Sequence, residues 1–186
     1  YFSGYLPNHI EVVSDLETLA NWVMDIVLDY QLYKSNGALQ LRSSFNQILS
    51  QTLSSKISGG CRIGIGPRNN AGSRISIVQD KANNTIEEIC PTIFNISSGE
   101  AAMLCIFGEL LAQADRIGKL LDVTGVVLID EVDKHLHIKL QKECLPKLFN
   151  LFPNVQFIVS SHSPFLNIKS LYTLKNAKPI SAKRLV

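Results

Sequence analysis

"GVVLIDEVDKHLH", residues 125–137, decides how this sequence is read. Four apolar residues, Val126 to Ile129, run directly into Asp130 and Glu131. Asp133 follows, then His135 and His137 on either side of Leu136. An uninterrupted apolar run of this length fits a strand of a parallel sheet covered on both faces. A second such run, "VQFIVS" at 155–160, follows after a stretch patterned as a helix over about 137–151. Strand, helix and apolar strand in succession make a parallel α/β unit. Its ligands are expected beyond the carboxyl ends of the strands.

Outward from that unit, residues 98–121 read as a helix, with Ala101, Leu104, Cys105, Gly108, Leu111 and Ala112 along one side. Pro146 falls inside the 137–151 helix and should kink or split it. A short strand is expected near 171–174, followed by a polar, basic tail. Upstream, "CRIGIGP" and "SRISIVQ" alternate about "RNNAG", which predicts a β-hairpin over 61–78. Residues 79–96 are less regular, and Pro91 ends any element there. Residues 14–34 carry apolar residues at three- and four-residue steps, with Ser14 and Glu17 spaced as a capping box. "SNG" at 35–37 reads as a helix stop, with Gly37 free to take positive φ. A second helix over 38–55 carries serines and glutamines that suggest a surface position. Three regions result: a helical region at 1–60, a hairpin and connection at 61–96, and the α/β part at 97–186.

Composition adds boundaries. The 186 residues suffice for one core. A net charge of +2 does not by itself point to nucleic acid. The basic tail residues Lys175, Lys178, Lys183 and Arg184 are more simply read as solvated. No apolar run approaches about 20 residues, so a spanning helix is not expected. The four cysteines show no CxxC pair and read as reduced thiols of a cytoplasmic protein.

Three polar clusters fall at element ends. Asp130 and Glu131 close the first apolar strand. In an extended chain their side chains point to opposite sides. One carboxylate can then hold a hard cation such as Mg²⁺, and the other can orient or deprotonate a water. The simpler reading is an acidic turn after a buried strand. "NISSGE", 95–100, opens the 98–121 helix. Ser97 and Ser98 can cap it, and Gly99 lets an anion approach the backbone. The simpler reading is an ordinary N-cap followed by Glu100. "FIVSSHSPFL", 157–166, ends a strand at Ser160, Ser161 and His162, where His162 can donate to a phosphate. A zinc cluster of Asp133, His135, His137 and His162 is poorly spaced. A serine hydrolase lacks its GxSxG turn.

Together the three clusters resemble the ABC-type ATPases, particularly the soluble branch containing the structural-maintenance-of-chromosomes, RecF and overcoming-lysogenization-defect proteins. "SSGE" looks like their signature and "GVVLIDE" like the Walker B strand with its glutamate. "VDKHLH" stands at the D-loop and "FIVSSHSPF" at the histidine switch. "IDEVDKHLH" followed by "FPNVQFIVSSHSP" is especially similar to AAA-type ATPases of bacterial anti-phage systems, Septu-like and retron-associated ones among them. The resemblance covers about 90–170.

The resemblance implies a P-loop NTPase core, with ATP and Mg²⁺ as cofactors. Asp130 would support Mg²⁺, Glu131 would polarise the water and His162 would sense the γ-phosphate. Ser97, Ser98, Gly99 and Glu100 would contact ATP held by an opposite subunit, giving a head-to-tail homodimer. Asp133 and His137 belong to the D-loop, where His137 stands in place of the family's aspartate. An effector protein such as a nuclease, or a nucleic acid, would be the partner, in anti-phage defence. The family's phosphate-cradling loop, GxxxxGK[ST], is not in this sequence. "GIGPRNNAGSR" at 64–74 has no lysine and lies within the hairpin. The chain therefore reads as the C-terminal part of an ATPase, inactive alone. The alternative is a degenerate, non-hydrolysing subunit that acts as an interaction or nucleic-acid-binding module.

Overall fold

A computed structural model describes residues 12–67, 74–116, 118 and 123–166, with side chains from Leu16 onward. Two helices come first, α1 (Val12–Tyr33) and α2 (Asn36–Leu53). The backbone of α1 is already helical at Val12, so Ser14 lies inside it and does not open it. The break between the helices also differs from the expected glycine stop. Lys34, not Gly37, takes the left-handed conformation (φ 49°). Its N–H closes α1 on the Tyr30 carbonyl at 3.2 Å. Ser35 then caps α2, its hydroxyl accepting from the Ala38 N–H at 3.2 Å. Lys34 thus does what a flexible glycine was expected to do, and a side-chain cap opens the next helix.

Helix α2 lies at the surface with one face only. Ala38, Leu41, Phe45, Ile48, Leu49, Thr52 and Leu53 are buried, a continuous stripe at three- and four-residue steps. The polar residues that suggested exposure occupy the other face. Trp22 of α1 meets Phe45 edge to face at 6.2 Å.

The hairpin is present: β1 (Arg62–Ile65) pairs antiparallel with β2 (Ile75–Asp80), Ile63 opposite Ile77. A third strand, β3 (Ile86–Cys90), adds to the far side of β2 and ends before Pro91. Adjacent Glu87 and Glu88 hide it from a periodicity reading. Both are exposed on an edge strand, where a charged row costs little and discourages further pairing.

The α/β part follows. Helix α3 (Ser98–Arg116) leads to β4 (Gly125–Ile129), and β5 (Val155–Val159) lies parallel to it. The register runs from Gly125 opposite Val155 to Ile129 opposite Val159, so residues 130 and 160 emerge side by side. Between the strands the helix is split, as Pro146 predicts. Residues Leu140–Cys144 form a π-turn and α4 spans Leu145–Asn150. The Leu145 N–H reaches back to the Leu140 carbonyl, one residue further than in an α-helix. Pro146 has no N–H to give, and its ring would crowd the preceding turn; the widened turn relieves both.

One hydrophobic cluster joins α1, α2, β1, β2, α3, α4 and β5. Phe107 of α3 sits at its centre, with the rings of Phe149, Phe152 and Phe157 5.6, 6.0 and 6.0 Å away. This packing seats β5 on α3. Val127, Ile129, Phe157 and Val159 face that core. Val126, Leu128 and Ile158 face the other way and are exposed, Leu128 by 74%. The sheet was expected to be covered on both faces. Among the described residues it is covered on one. The strand expected near 171–174 lies outside the described residues.

Candidate functional site

The parallel register brings the Asp130–Glu131 pair and the Ser160–His162 segment to one edge. Four hydrogen bonds of Ser160 join them. The Ser160 N–H donates to the Ile129 carbonyl at 3.0 Å, extending the ladder by one bond. The Val132 N–H donates to the Ser160 carbonyl, also at 3.0 Å. Between these, the Ser160 hydroxyl donates to Asp130 Oδ1 and accepts from the Glu131 N–H, the latter at 2.8 Å. One hydroxyl therefore fixes both acids. Sequence reading named Ser160 only as the end of a strand; the register explains its role.

Glu131 does not continue the extended chain. Its φ is +48°, in the left-handed region. For a residue with a Cβ this conformation costs on the order of 1 kcal/mol and persists only where surroundings enforce it. The expected strand alternation of the two acids is therefore replaced by a sharp turn. The strand ends at Ile129, and the Ser160 clasp holds the turn in place. The Glu131 side chain is about half exposed, and Lys134 Nζ lies 3.3 Å from its Oε2. An ion pair between two solvated groups is weak and open to exchange with water.

Asp130 is exposed, with one oxygen engaged by Ser160. A carboxylate beside a hydroxyl is a hard, all-oxygen donor set of the kind Mg²⁺ accepts when waters and phosphates complete its shell. Among the described residues no group of three or more His, Cys, Asp and Glu lies close enough to hold a metal by itself.

The turn after Glu131 is tied to the histidine segment. Asp133 Oδ1 accepts from the His162 backbone N–H at 3.2 Å. The Ser161 hydroxyl beside it, with help from that N–H, holds the Asp133 carboxyl below the usual carboxylate range. Ser163 donates to Gln141 Oε1, and Gln141 Nε2 donates to the Leu136 carbonyl at 2.7 Å. Buried Gln141 thus spans the turn and the histidine segment, a link no motif announces. His135 and His137 are exposed; His137 Nδ1 accepts from the Lys139 N–H at 3.3 Å.

The "SSGE" segment lies against the same turn. Ser97 and Glu100 form a capping box. The Ser97 N–H and hydroxyl donate to Glu100 Oε2 at 2.9 and 2.7 Å, and the Glu100 N–H donates to the Ser97 hydroxyl at 3.4 Å. Ser97 and Ser98 are exposed; Gly99 and Glu100 are buried. Gly99 faces the loop after β4, and a Cβ there would lie 2.7 Å from the His135 carbonyl oxygen. His135 itself sits at φ +63°. The missing side chain serves close helix-to-loop packing. The structure thus gathers Ser97–Glu100, Asp130, Glu131, Asp133, His137 and His162 around one loop.

The chain is similar in sequence to several known proteins. A retron Ec83 probable ATPase of Escherichia coli is 30% identical over 118 residues, 59% of this chain and 21% of its own length. A retron Vc95 probable ATPase of Vibrio cholerae is 40% identical over 79 residues, 40% of this chain and 15% of its own length. The Septu protein PtuA of Bacillus mycoides is 32% identical over 77 residues, 41% of this chain and 11% of its own length. The chain spans about a fifth or less of the curated relatives it matches. A solved structure from work on ATP-driven dimerization and DNA stimulated activation of SMC ATPases aligns with 76% of this chain and 75% of its own. Its TM-score is 0.40 at 18% identity, too loose a likeness to support an argument. Residues 71–169 match the family model "AAA domain, putative AbiEii toxin, Type IV TA system", a span that holds every site residue named above. By that match, which takes in more than half of its length, the chain belongs to this AAA-domain family.

Proposed function

We propose that this chain is the signature and Walker B portion of an ATPase that hydrolyses ATP between two head-to-tail subunits. The observation that carries the reading is the Ser160 clasp, which locks Asp130 and a left-handed Glu131 side by side beyond a parallel strand pair. A residue with a Cβ stays in that conformation only where its surroundings enforce it, and such residues cluster at functional sites. The relatives named as ATPases support the reading.

In this scheme Asp130 would help to hold Mg²⁺, and Glu131 accepts a hydrogen bond from the attacking water. Mg²⁺, when bound, would neutralise charge developing on the transferred phosphoryl group. His162, anchored through its N–H to Asp133, presents its imidazole to the γ-phosphate. Exposed Ser97 and Ser98 at the start of α3 meet ATP carried by the partner subunit, where N–H groups and the helix dipole favour an anion. Asp133 and His137 form the loop that faces that partner. The opening and closing of the pair would regulate an effector protein, or a transaction on nucleic acid, in cytoplasmic anti-phage defence. The Septu and retron names of the relatives support the defence role.

The test is Glu131→Gln in the intact protein. Loss of turnover by a factor of a hundred or more, on the order of what a general base supplies, together with a nucleotide-trapped dimer, is expected. Undiminished hydrolysis would remove Glu131 from the mechanism. Wild-type protein that binds ATP without turnover would favour the non-hydrolysing module instead.

A further inference from the structure

We propose that Lys56 is a positioning residue for this ATPase, holding the start of α3 in register with the loop that follows β4; the inference rests on the function proposed above. Lys56 lies just beyond α2, 44 residues before its partner, and belongs to no motif. Its Nζ donates to Glu100 Oε2 at 2.9 Å and lies 2.8 Å from Oε1. Glu100 is a charged residue at 1% exposure, and its oxygens serve Ser97 and Lys56 together.

A capping box alone would hold the first turn of α3, but not place it against anything. A buried carboxylate needs a counter-charge, and Lys56 supplies it from a different element. The other contacts of the same turn show what the placement is for. Lys139 Nζ donates to the Ser55 carbonyl at 2.9 Å, and the Ser54 hydroxyl lies 3.4 Å from Cys144 Sγ. Lys139 and Cys144 belong to the helix entered directly from the Asp133–His137 loop. Residues 54–56 therefore brace both sides of the Gly99–His135 contact, one side through Glu100 and the other through Lys139. The segment offered to the partner's ATP and the loop after the water-orienting acid are held at one spacing. Lys56 touches neither nucleotide nor water; it acts through Glu100.

The experiment compares Lys56→Met, Lys56→Gln and Lys56→Arg in the intact protein. Steady-state ATPase kinetics, nucleotide-driven dimerization and amide exchange over residues 97–100 are measured. Lys56→Met is expected to lower kcat by about tenfold to a hundredfold, the scale of a small misplacement. KM for ATP should stay within about twofold, because Ser97 and Ser98 at the start of α3 meet the partner's ATP only as the pair closes, after the first binding step. Exchange at 97–100 should quicken and dimerization weaken. Lys56→Arg, which can form the same pair, should restore all three readouts. Lys56→Gln keeps a hydrogen-bond donor and guards against a Met variant that fails to fold. It should show the same kcat loss in milder form. Wild-type kcat in folded Lys56→Met and Lys56→Gln would overturn the positioning role while leaving the ATPase reading intact. A wild-type protein without turnover would overturn the ATPase reading and the positioning role together.

Discussion

Gly99 and His135 meet across the gap between the start of α3 and the loop after β4, so closely that a methyl group on Gly99 would lie 2.7 Å from the His135 carbonyl oxygen. The neighbour is backbone, held at φ +63° by the turn it belongs to, and cannot swing aside. Gly99→Ala should therefore push helix and loop apart, at an overpacking cost of about 1–3 kcal/mol that outweighs the gain in helix propensity of about 1 kcal/mol. Gly108 is the internal control. A Cβ there would meet the Leu19 side chain at a similar 2.7 Å, but a leucine has rotamers to yield with. Thermal unfolding should show Gly108→Ala as the milder change. Equal or reversed effects would mean the loop is softer than its geometry implies.

Ser160 is the next point of leverage. Its hydroxyl is a shared ligand of Asp130 and the Glu131 N–H, and both neighbours are exposed or half-exposed. Ser160→Ala removes one net hydrogen bond to a charged group and one to backbone, and water can replace each. The stability loss should stay near 1–2 kcal/mol. The loss in turnover should be larger in proportion, about tenfold or more, because the left-handed Glu131 is released from its enforced turn. Ser160→Thr keeps the hydroxyl and should fall between. A kcat as high in Ser160→Ala as in the wild type would show that the turn holds itself.

The difference between what was legible beforehand and what was not has a physical pattern. The β4–β5 pair could be read because apolar runs and acids at their ends are written in consecutive residues. The hairpin was legible from alternation, and the split at Pro146 from a missing donor. Strand β3 was not, since Glu87 and Glu88 on an open edge follow no burial period. The serines and glutamines of α2 announce its exposed face, while the buried stripe from Ala38 to Leu53 shows only in their spacing. Within the candidate site, Asp130, Glu131 and His162 are legible as polar residues at strand ends, but their supports are not. Lys56 reaches Glu100 from another element, and Gln141 spans the turn and the histidine segment from within a helix. Such partners are set by the fold, and no local pattern encodes them.

Asp133 gives the site a pH dependence with a definite sign. Its carboxyl is held below the usual range chiefly by the Ser161 hydroxyl, then by backbone N–H groups including that of His162. A carboxyl with a lowered folded pKa contributes stability in full above its unfolded value, about 3.9 for aspartate. That contribution is lost as pH falls through the lower, folded value. At neutral pH the Asp133–His162 tie is complete, and acidification below about pH 4 should release it. Amide exchange at His162, corrected for the intrinsic pH effect, should quicken in that window in the wild type. In Asp133→Asn it should already be fast at neutral pH and change little on acidification, because an amide oxygen is a weaker acceptor and does not titrate. Since His162 is proposed to meet the γ-phosphate, Asp133→Asn should also weaken turnover at neutral pH, by several-fold rather than by the hundredfold expected of Glu131→Gln. Identical His162 protection in wild type and Asp133→Asn would place the anchor of this segment elsewhere, in the Ser163–Gln141 bond or the contacts of Ser160.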